Sequence, residues 1–508
     1  MTLAGVGVDE ILRAHGLDAS LTELGAYIAR QRWSGARDSV PQHVIVDDVA
    51  VLREGPFTLV FTVTRVGYVG GRELSYFIPL GMRAVGDSIS ERAPDHLIAT
   101  LSEPQVLLYD ALGDPEYVHW LWNAIRQQRT VDTSRARLRF TCPDVSALED
   151  SDAPAVRPMS VEQSNTSMHV GTSAFLKHLR RLEPGPSHEL EMEDVLQRAG
   201  FTNFAPLLGA GTYETDAQPP APFILLQPFV HNATEGWAMA LTSLRDLYAQ
   251  AEEPGARDPA ELRSVVDDQG ASFVGDAARL GTVIAQMHMA LASPGLGEDV
   301  DPQRITAAVL ERWADRMTAD LDGLLLSNTA SDVLAPLLAA RDRVVERFDA
   351  LRGLAPGGLL IRVHGDLHLG QMLRTDSGWI VLDFEGEPLR TPRERRDRSS
   401  PLRDVAGMLR SFDYAAAAAL AERVVPDSAD WKPLMAYGDA WADANRDAFW
   451  AAYLAATGES PLLPPVGSAL VLRRAFEVQK AVYEVGYELR HRPGWVPIPL
   501  RFLLRGAG

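Results

Sequence analysis

Residues 362–388 combine acids, histidines and an amide with an apolar run, in the sequence RVHGDLHLGQMLRTDSGWIVLDFEGEP. An unpaired charge is costly to bury, so either these acids face solvent or they converge on a cation. Asp366 can accept the proton of a substrate hydroxyl, and Gln371, five positions later, offers an amide oxygen to a metal. Asp383 follows the strand-like run WIVL, whose end would project the carboxylate out of the core. Because magnesium prefers hard oxygen ligands, the segment predicts a catalytic base beside a magnesium site.

The predicted chemistry is phosphoryl transfer, which needs a cradle for phosphates, a magnesium ion and a group that orients the attacking hydroxyl. Taken singly, an aspartate is more often a solvated loop residue or a turn cap, but the spacing and the strand context of the whole set favour a site. His364 suits an internally hydrogen-bonded residue that supports the loop. Asp404 suits a carboxylate at a helix start that binds backbone N–H groups or neighbouring arginines.

The overall composition limits the partners of such a site. The chain has 508 residues, too many for one ordinary core, and its 46% apolar and 23% charged content is typical of a globular protein. A net charge of −19 argues against nucleic acid or an anionic membrane as the main partner. The single cysteine, Cys142, allows no internal disulfide and no paired zinc motif. The acidic N-terminus and the absence of an apolar run of about 18 residues predict a cytoplasmic protein.

The elements that must position the site change in type along the chain. Runs rich in β-branched and aromatic residues at 43–52 and 57–69 predict strands, and residues 221–230 are typical of one buried strand. The segment QAEEPGARDPAELR is predicted as a loop. Beyond Asn232 the apolar period becomes helical. The segments of helical length are 235–253, 275–292, 304–327, 331–352, 402–424, 431–457 and 467–492.

This order of elements predicts an α+β fold with the bilobal architecture of kinase-like phosphotransferases. We expect a small N-terminal cap domain at residues 1–112. A β-rich N-terminal lobe at 113–231 would hold the phosphate-binding loop and a hinge strand. A large, mainly helical C-terminal lobe at 232–508 would carry the catalytic and sugar-binding residues.

The motifs HGDLHLGQ and LDFE resemble the HGDxxxxN and [IV]D[FW]E pair of the aminoglycoside phosphotransferase-like kinases, with Gln371 at the metal-binding asparagine position. The wider run from VHGDLHLGQML to SSPLRDVAGMLRSFDYAAAA is similar to bacterial maltokinases. Similarity also occurs in RQRWSG, in SNTSMHV with FLKHLRRLEPGPSHELE, and in KAVYEVGYELRHRPGWVPIPL, so it extends in patches over nearly the whole chain. The resemblance implies ATP and Mg²⁺ as cofactors, with Asp366 as the base and Gln371 and Asp383 as magnesium ligands.

The same resemblance implies a nucleotide site in the β-rich lobe. Lys177 would steady the nucleotide phosphates with Glu191 as its helix partner, although taken alone it could be a snorkelling lysine on an edge strand. The segment QSNTS occupies the place of the loop over the phosphates, where backbone N–H groups can point at anions. The strand ILLQPFV would connect the lobes and meet the adenine edge. The residues predicted to contact nucleotide are Ser164, Asn165, Thr166, Ser167, Lys177, Glu191, Gln227 and Phe229.

A helical segment near the C-terminus is the predicted sugar site. Tyr483 and Tyr487 stand at i and i+4, as do Glu484 and Glu488, so one helix presents an aromatic pair and an acidic pair on adjoining faces. Aromatic rings stack on sugar faces and carboxylates bind hydroxyls, although a core tyrosine pair with solvent-facing glutamates is an equal alternative. Glu385, in DFEGEP, completes the predicted substrate contacts.

The predicted function is that of an ATP-dependent maltokinase, which phosphorylates the anomeric hydroxyl of maltose to maltose 1-phosphate for α-glucan assembly. Glucosamine kinase, or another amino-sugar or aminoglycoside-like kinase, is the alternative, because Gln479 stands where an aspartate is expected in maltokinases. A catalytically silent, metabolite-binding regulator is a third candidate, which the presence of Lys177, Asp366, Gln371 and Asp383 disfavours. The expected partners are a small sugar and other α-glucan enzymes, and neither nucleic acid nor a membrane.

Overall fold

The structure is a computed structural model, and the chain divides into two compact units. The first unit comprises Met1–Ser187 with Ala205–His231, and the second comprises His188–Phe204 with Asn232–Gly508. The residues that the structure describes are 17, 20–36, 39–102, 105–159, 165–183, 185–251, 258–269, 271–328, 331–387, 390–426 and 428–505.

Two antiparallel sheets dominate the first unit. The first sheet has the strand order β1-β2-β3-β5-β4, and the second has the order β6-β7-β11-β12-β10-β9-β8. The strands are β1 (Pro41–Arg53), β2 (Thr58–Tyr68), β3 (Glu73–Ala84), β4 (Leu97–Ser102), β5 (Gln105–Asp110), β6 (Thr130–Asp132), β7 (Arg137–Thr141), β8 (Val156–Pro158), β9 (Asn165–Val170), β10 (Ala174–Leu179), β11 (Gly209–Glu214) and β12 (Ala221–Pro228). The helices of this unit are α1 (Leu21–Arg30), α2 (Ile89–Arg92) and α3 (Pro115–Arg126).

Local sequence explains these elements. Strand β2, TLVFTVTRVGY, is rich in β-branched residues and lies between β1 and β3, so it is buried over most of its length. Helix α3 begins where the Asp114 side chain accepts the backbone N–H of Glu116 and a proline follows the cap. The rings of Phe61, Phe77 and Phe223 lie 5.1–5.7 Å apart between centroids. These rings come from both sheets and therefore join them in one core.

Helices dominate the second unit. They are α4 (His188–Arg198), α5 (Gly236–Gln250), α6 (Pro259–Gln269), α7 (Ala271–Leu291), α8 (Ala307–Ser327), α9 (Ala335–Ala339), α10 (Arg341–Asp349), α11 (Pro392–Arg395), α12 (Leu402–Arg423), α13 (Trp431–Thr457), α14 (Val466–His491) and α15 (Pro497–Arg505). The strands are β13 (Thr234–Glu235), β14 (Gln303–Arg304), β15 (Leu359–Leu360), β16 (Met372–Thr375) and β17 (Gly378–Val381). Strands β13, β16 and β17 form one small sheet, and β14 pairs with β15.

The core of the second unit centres on α12, which is buried along most of its length and packs against α13 and α14. Gly281 on α7 contacts the backbone of Phe449 on α13 so closely that a side chain at 281 would collide with it. Helix α4 also contributes Met192, Val195 and Leu196 to this core. Its apolar side therefore groups α4 with the helical unit, whereas the sequence placed it in the β-rich lobe.

The predicted succession of a β-rich N-terminal part and a helical C-terminal part is confirmed. The loop predicted at QAEEPGARDPAELR is wrong in its second half, where α6 begins at Pro259. The Asp258 side chain accepts the backbone N–H groups of Ala260 and Glu261, which provides the helix start that the loop composition concealed. Within the described part of the chain, no helix is both long and apolar enough to cross a membrane.

Candidate active site

The loop between strands β15 and β16 carries Asp366, and a buried carboxylate holds this loop in place. Asp404, in the first turn of α12, accepts hydrogen bonds from the backbone N–H groups of His364 at 2.7 Å and Gly365 at 2.9 Å. Burial alone would raise the pKa of Asp404, but its contact with His288, 3.1 Å away, and the backbone bonds lower it. The predicted binding of backbone N–H groups by Asp404 is confirmed, and these groups belong to the loop that carries Asp366, the predicted catalytic loop.

His364 links the same loop to the end of strand β17. Its Nε2 lies 2.8 Å from the carbonyl oxygen of Leu382, which precedes Asp383. The loop also packs tightly on α12, because the carbonyl oxygen of Leu367 lies 2.6 Å from the position that a Cβ at Gly407 would occupy. A larger residue at 407 would push the loop away from the helix. The predicted supporting role of His364 is therefore confirmed.

Lys480, on helix α14, joins Asp366 to a second acid. Its Nζ lies 3.2 Å from Asp366 Oδ1 and 2.8 Å from Glu387 Oε1. Burial alone would lower the pKa of Lys480, but Glu387 and Asp366 outweigh burial and raise it. The lysine therefore stays charged and orients the Asp366 carboxylate.

Glu387 is the centre of a basic cluster, although it is only 3% exposed. Its Oε2 lies 2.7 Å from Arg390 Nε and 3.1 Å from Arg403 Nη2, in addition to the contact with Lys480. Burial alone would raise the pKa of Glu387, but Lys480, Arg403 and Arg390 together lower it to about 2. This carboxylate therefore fixes three basic side chains beside the catalytic loop.

We expect Glu387→Gln to destabilise the folded protein by about 2–4 kcal/mol near pH 7, since its pKa falls from 4.5 to about 2 and each unit corresponds to roughly 1.4 kcal/mol. A carboxyl group with a lowered folded-state pKa stabilises above its unfolded pKa, so this contribution is lost as the pH falls from about 5 to about 2. The measurement is the urea midpoint of parent and variant at neutral and acidic pH. Glu346→Gln, at an exposed glutamate, is the control. A difference for Glu387→Gln that did not shrink in acid would contradict the ion-pair cluster.

Gln371 and Asp383, the two predicted magnesium ligands, lie side by side. Gln371 Nε2 donates a hydrogen bond to Asp383 Oδ2 at 3.0 Å. Asp383 has a φ of +59°, a left-handed conformation that is uncommon for residues with a side chain and clusters at functional sites. The structure thus brings both side chains together at the end of strand β17.

Two glutamates enlarge this acidic group. Carboxylate oxygens of Glu189, Asp383 and Glu385 lie within 4.8 Å of one another. Glu189 belongs to helix α4, whereas Glu385 was predicted as a substrate contact and here neighbours the predicted metal ligands. Carboxylate and amide oxygens are the donors that Mg²⁺ prefers, so the residues present fit a magnesium ion.

Lys177 occupies an interior position of the seven-stranded sheet. It lies on β10, is 5% exposed, and stands opposite Ser167 of β9 and Leu225 of β12. Strand β10 lies between β12 and β9, so the alternative that Lys177 lies on an edge strand is wrong. Glu191, its predicted partner, instead lies on α4 of the second unit, 2.6 Å from both Arg362 Nε and Arg396 Nη2. The predicted pairing of Lys177 with Glu191 stays a prediction.

The remaining predicted nucleotide residues lie on β9 and at the end of β12. Asn165 and Thr166 begin β9, while Ser164 lies outside the described residues. Gln227 is near the last residue of β12. The backbone N–H of Phe229 donates to the carbonyl oxygen of Ser173 at 2.7 Å. Contact of these residues with a nucleotide stays a prediction.

Helices α8, α12 and α14 line a cavity of about 410 Å³ next to the catalytic loop and Lys480. Tyr483 and Tyr487 both line it, and their rings stack at 6.3 Å between centroids with an angle of 23°. The Nζ of Lys480 lies 4.8 Å from the centroid of the Tyr483 ring. Lys480 therefore contacts both Tyr483 of the predicted aromatic pair and the carboxylate of Asp366.

The predicted acidic pair of the same helix does not line this cavity. Glu484 accepts hydrogen bonds from Arg410 Nε at 3.1 Å and Nη2 at 2.8 Å. Glu488 pairs with Arg492 at 2.7 Å and is 1% exposed. Both carboxylates are thus occupied by arginines, and the geometry gives no support to their predicted contact with a sugar.

Several functional candidates escaped the sequence analysis, namely Glu189, Asp320, Glu387 and Lys480. Lys480 stands three residues before Tyr483 and seven before Tyr487, so helical spacing could have placed it on the aromatic face. Glu387 follows the recognised LDFE motif within two residues. No local signal marks Glu189 or Asp320, because each reaches its position only through helix packing.

Two protein families match the sequence. The maltokinase N-terminal cap domain matches residues 27–114, and the phosphotransferase enzyme family matches residues 267–437. The second match includes the catalytic loop, Gln371, Asp383 and helix α12.

Curated relatives cover more of the chain. The glucosamine kinase of Streptacidiphilus jiangxiensis is 33% identical over 362 residues, which span 68% of this chain and 71% of the relative. The glucosamine kinase of Mycolicibacterium smegmatis is 28% identical over 350 residues, 68% of this chain and 77% of the relative.

Solved structures agree with the fold over most of its length. A glucosamine kinase in complex with glucosamine, ADP and inorganic phosphate aligns with a TM-score of 0.62 and 25% identity, over 92% of this chain and 94% of that chain. Another structure, glucosamine kinase in crystal form A, aligns with a TM-score of 0.61 and 24% identity over 92% and 93%. The predicted fold class is confirmed.

Proposed function

The chain belongs to the aminoglycoside phosphotransferase-like superfamily, together with the glucosamine kinases, and from that premise we propose that its acceptor is maltose, phosphorylated at the anomeric hydroxyl. It is an ATP-dependent sugar kinase and thus transfers a phosphoryl group to an alcohol. The observation that carries the choice of maltose is the stacked pair of Tyr483 and Tyr487 in the cavity beside the catalytic loop. The product, maltose 1-phosphate, would feed α-glucan assembly.

In the proposed mechanism, Asp366 accepts the proton of the attacking hydroxyl. The hydroxyl oxygen bonds to the γ-phosphorus while the bond from that phosphorus to the β,γ-bridging oxygen breaks, and ADP leaves with the electron pair. Lys480 orients the carboxylate of Asp366, and Asp404 and His364 hold the loop. The base is therefore positioned before the acceptor binds, which lowers the entropic part of the barrier.

The nucleotide and metal residues keep their predicted roles in this proposal. Lys177 and the backbone of residues 165–167 would contact the nucleotide phosphates. Gln371 and Asp383 would hold Mg²⁺, which when bound supplies positive charge that neutralises the charge developing during phosphoryl transfer. Glu189 and Glu385 offer further oxygen ligands.

The charges of the cavity favour a neutral sugar over a protonated amine. The basic side chains that line it are Arg316, Arg390, Arg403, Lys480 and Arg490. The acidic ones are Asp320, Glu387 and Glu394. Glu387 is already paired with three bases, and Glu394 lies 2.6 Å from Arg316. An ammonium group would enter surroundings that are more basic than acidic, whereas a neutral disaccharide meets no such repulsion.

The size of the cavity also suits a disaccharide. Its volume of about 410 Å³ lies within the usual range of small-molecule sites. The two tyrosine rings, 6.3 Å apart, offer successive apolar surfaces for two linked sugar rings. A monosaccharide would use only one of them.

Glucosamine is the second candidate acceptor, because two relatives of this chain carry the name glucosamine kinase. An ammonium group would bind Asp320, which lines the cavity and is exposed. Asp320 also accepts a hydrogen bond from Gln479 Nε2 at 3.2 Å. Gln479, the residue that departs from the maltokinase pattern, therefore contacts the side chain that would bind the ammonium group. The two candidates therefore depend on different residues of one cavity.

We expect Tyr487→Leu to raise the KM for maltose about 2- to 13-fold, as for the loss of an aromatic stacking contact of about 0.5–1.5 kcal/mol, with the KM for ATP unchanged. Steady-state kinetics with each substrate varied in turn provide the measurement. Trp431→Leu, at a partly buried aromatic residue of the same unit that does not line the cavity, is the matched control. Equal increases in both KM values would remove Tyr487 from the acceptor site.

Asp320→Asn separates the two candidates. If maltose is the acceptor, we expect little change in its KM, since the amide of the substituted side chain could still bind a hydroxyl. If glucosamine is the acceptor, the variant would lose the charged contact, and the KM for glucosamine would rise at least about tenfold. This increase should be smaller above the pKa of the amine, where the amine is neutral. Asp332→Asn, at an exposed aspartate outside the cavity, is the control. A large loss limited to glucosamine turnover would overturn the choice of maltose.

A further inference from the structure

A second cavity lies entirely within the first unit, between helix α1 and the start of strand β9. Its volume is about 680 Å³. Its lining residues with ionisable side chains of basic or acidic type are Arg30, Arg32, Asp95, His96 and Arg180. None of these five residues belongs to the proposed acceptor, nucleotide or metal site, although Asn165 and Thr166, two predicted nucleotide contacts, also line the cavity. The mechanism above therefore gives these five side chains no role.

Arg180 is the buried base of this cavity and is 1% exposed. Its Nη2 lies 2.8 Å from Asp110 Oδ2, its Nε donates to Thr166 Oγ1 at 2.8 Å, and its guanidinium lies 4.7 Å from the centroid of the Trp33 ring. Its Nη1 has no hydrogen-bond partner among the residues that the structure describes. A buried charged donor that lacks a partner is rare in folded proteins and calls for an acceptor.

Other donors converge on the same space. His96 Nδ1 is buried and likewise has no hydrogen-bond partner in the described part of the chain. Arg30 and Arg32 are exposed at the cavity rim. Asp95 is the only acid among the described lining residues, and Asp110, which pairs with Arg180, does not line the cavity. The cavity is therefore locally basic in a chain whose net charge is −19.

We propose that this cavity binds the phosphate group of a small phosphorylated sugar. A phosphate monoester presents three strong acceptor oxygens and close to two negative charges. The three guanidinium groups and the imidazole of the cavity therefore suit a phosphate ligand better than a ligand with a single carboxylate. Arginine donates paired N–H groups to phosphate oxygens with favourable geometry. Among the three arginines, Arg180 is the buried one, and its Nη1 has no partner among the described residues.

The volume of the cavity indicates that the ligand extends beyond the phosphate. A phosphate ion fills the space of only a few water molecules, each about 30 Å³, whereas the cavity holds about 680 Å³. Gln31, Asp95 and Asn165 supply polar groups to the rest of the lining. These groups suit sugar hydroxyls. A phosphorylated sugar therefore matches both the basic residues and the polar residues of the cavity.

The test is isothermal titration of the purified protein with glucose 1-phosphate, while ADP, magnesium and maltose are present in excess to fill the nucleotide and acceptor sites. We expect one remaining site that binds glucose 1-phosphate more tightly than inorganic phosphate and does not bind glucose. Arg32→Ala and Arg30→Ala should each weaken it at least about tenfold. Both arginines are exposed, so the variants should keep the melting temperature of the parent.

Arg92→Ala is the matched control, because Arg92 is an exposed arginine of the same unit that does not line the cavity. Its affinity for glucose 1-phosphate should equal that of the parent. The proposal is overturned if ADP and maltose abolish all binding, or if Arg32→Ala and Arg30→Ala bind like the parent. If the cavity bound inorganic phosphate as tightly as glucose 1-phosphate, the inference that the ligand carries a sugar would be overturned. Each of these results leaves the proposed acceptor site untouched, since the two cavities share no residue, and saturation with ADP separates the second cavity from the nucleotide site.

Discussion

Asp366→Asn should lower turnover at least about 10²-fold, the usual contribution of a positioned general base, while the affinity for ATP stays nearly unchanged. The expectation rests on the position of Asp366 in a loop that Asp404 and His364 hold by backbone and ring contacts. Asparagine has the same shape, so the loop and the contact with Lys480 should persist. The amide cannot take the proton of the acceptor hydroxyl. Single-turnover kinetics and nucleotide binding by calorimetry measure the two quantities.

Asp376→Asn is the matched control for this variant. Asp376 is an exposed aspartate in the turn between strands β16 and β17, and strand β16 separates it from the loop that carries Asp366. The same isosteric change there should leave turnover at the parent value. Near-normal turnover in Asp366→Asn would remove Asp366 from the mechanism.

Asp383→Ala should abolish magnesium-dependent turnover, because its carboxylate lies at the centre of the only acidic group with metal-ligand spacing among the described residues. The variant would also remove the oxygen that accepts the hydrogen bond from Gln371 Nε2 at 3.0 Å. The dependence of ATP affinity on magnesium concentration should disappear as well, which gives a readout that does not require activity. Excess magnesium should restore turnover poorly.

The backbone of Asp383 requires a second variant. Its φ of +59° favours asparagine or aspartate over alanine, so Asp383→Ala also loses some stability. Asp383→Asn keeps the backbone preference and most of the packing, and it should weaken magnesium-dependent ATP binding, because the amide oxygen lacks the negative charge of the carboxylate. If Asp383→Asn bound ATP and responded to magnesium like the parent, its assignment as a metal ligand would fail.

Much of the fold could be predicted because apolar periodicity is a local property. Strands β1 and β2 and helices α12, α13 and α14 lie within a few residues of their predicted bounds. Helix α6 was missed because proline and acidic residues at its start are equally typical of a loop. The sequence places helix α4 with the β-rich lobe, whereas its side chains Met192, Val195 and Leu196 pack in the helical core, a tertiary contact that no local pattern predicts.

The site was predictable where the chemistry lies within one segment. Asp366, Gln371 and Asp383 are close in sequence, and the structure places the last two in contact. Helix α14 shows the limit, since spacing alone cannot decide which face meets the cavity. Tyr483 and Tyr487 line the cavity, whereas Glu484, one residue along, turns about 100° away and pairs with Arg410.

The most direct test of the proposed function is an acceptor assay with the purified protein, ATP and magnesium, in which maltose, glucose and glucosamine are offered separately. Formation of ADP should be rapid with maltose and slow with the two monosaccharides, and the phosphate should appear on the anomeric carbon. Asp366→Asn, assayed in parallel, controls for contaminating kinases. Rapid phosphorylation of glucosamine with none of maltose would contradict the proposal of a maltose kinase.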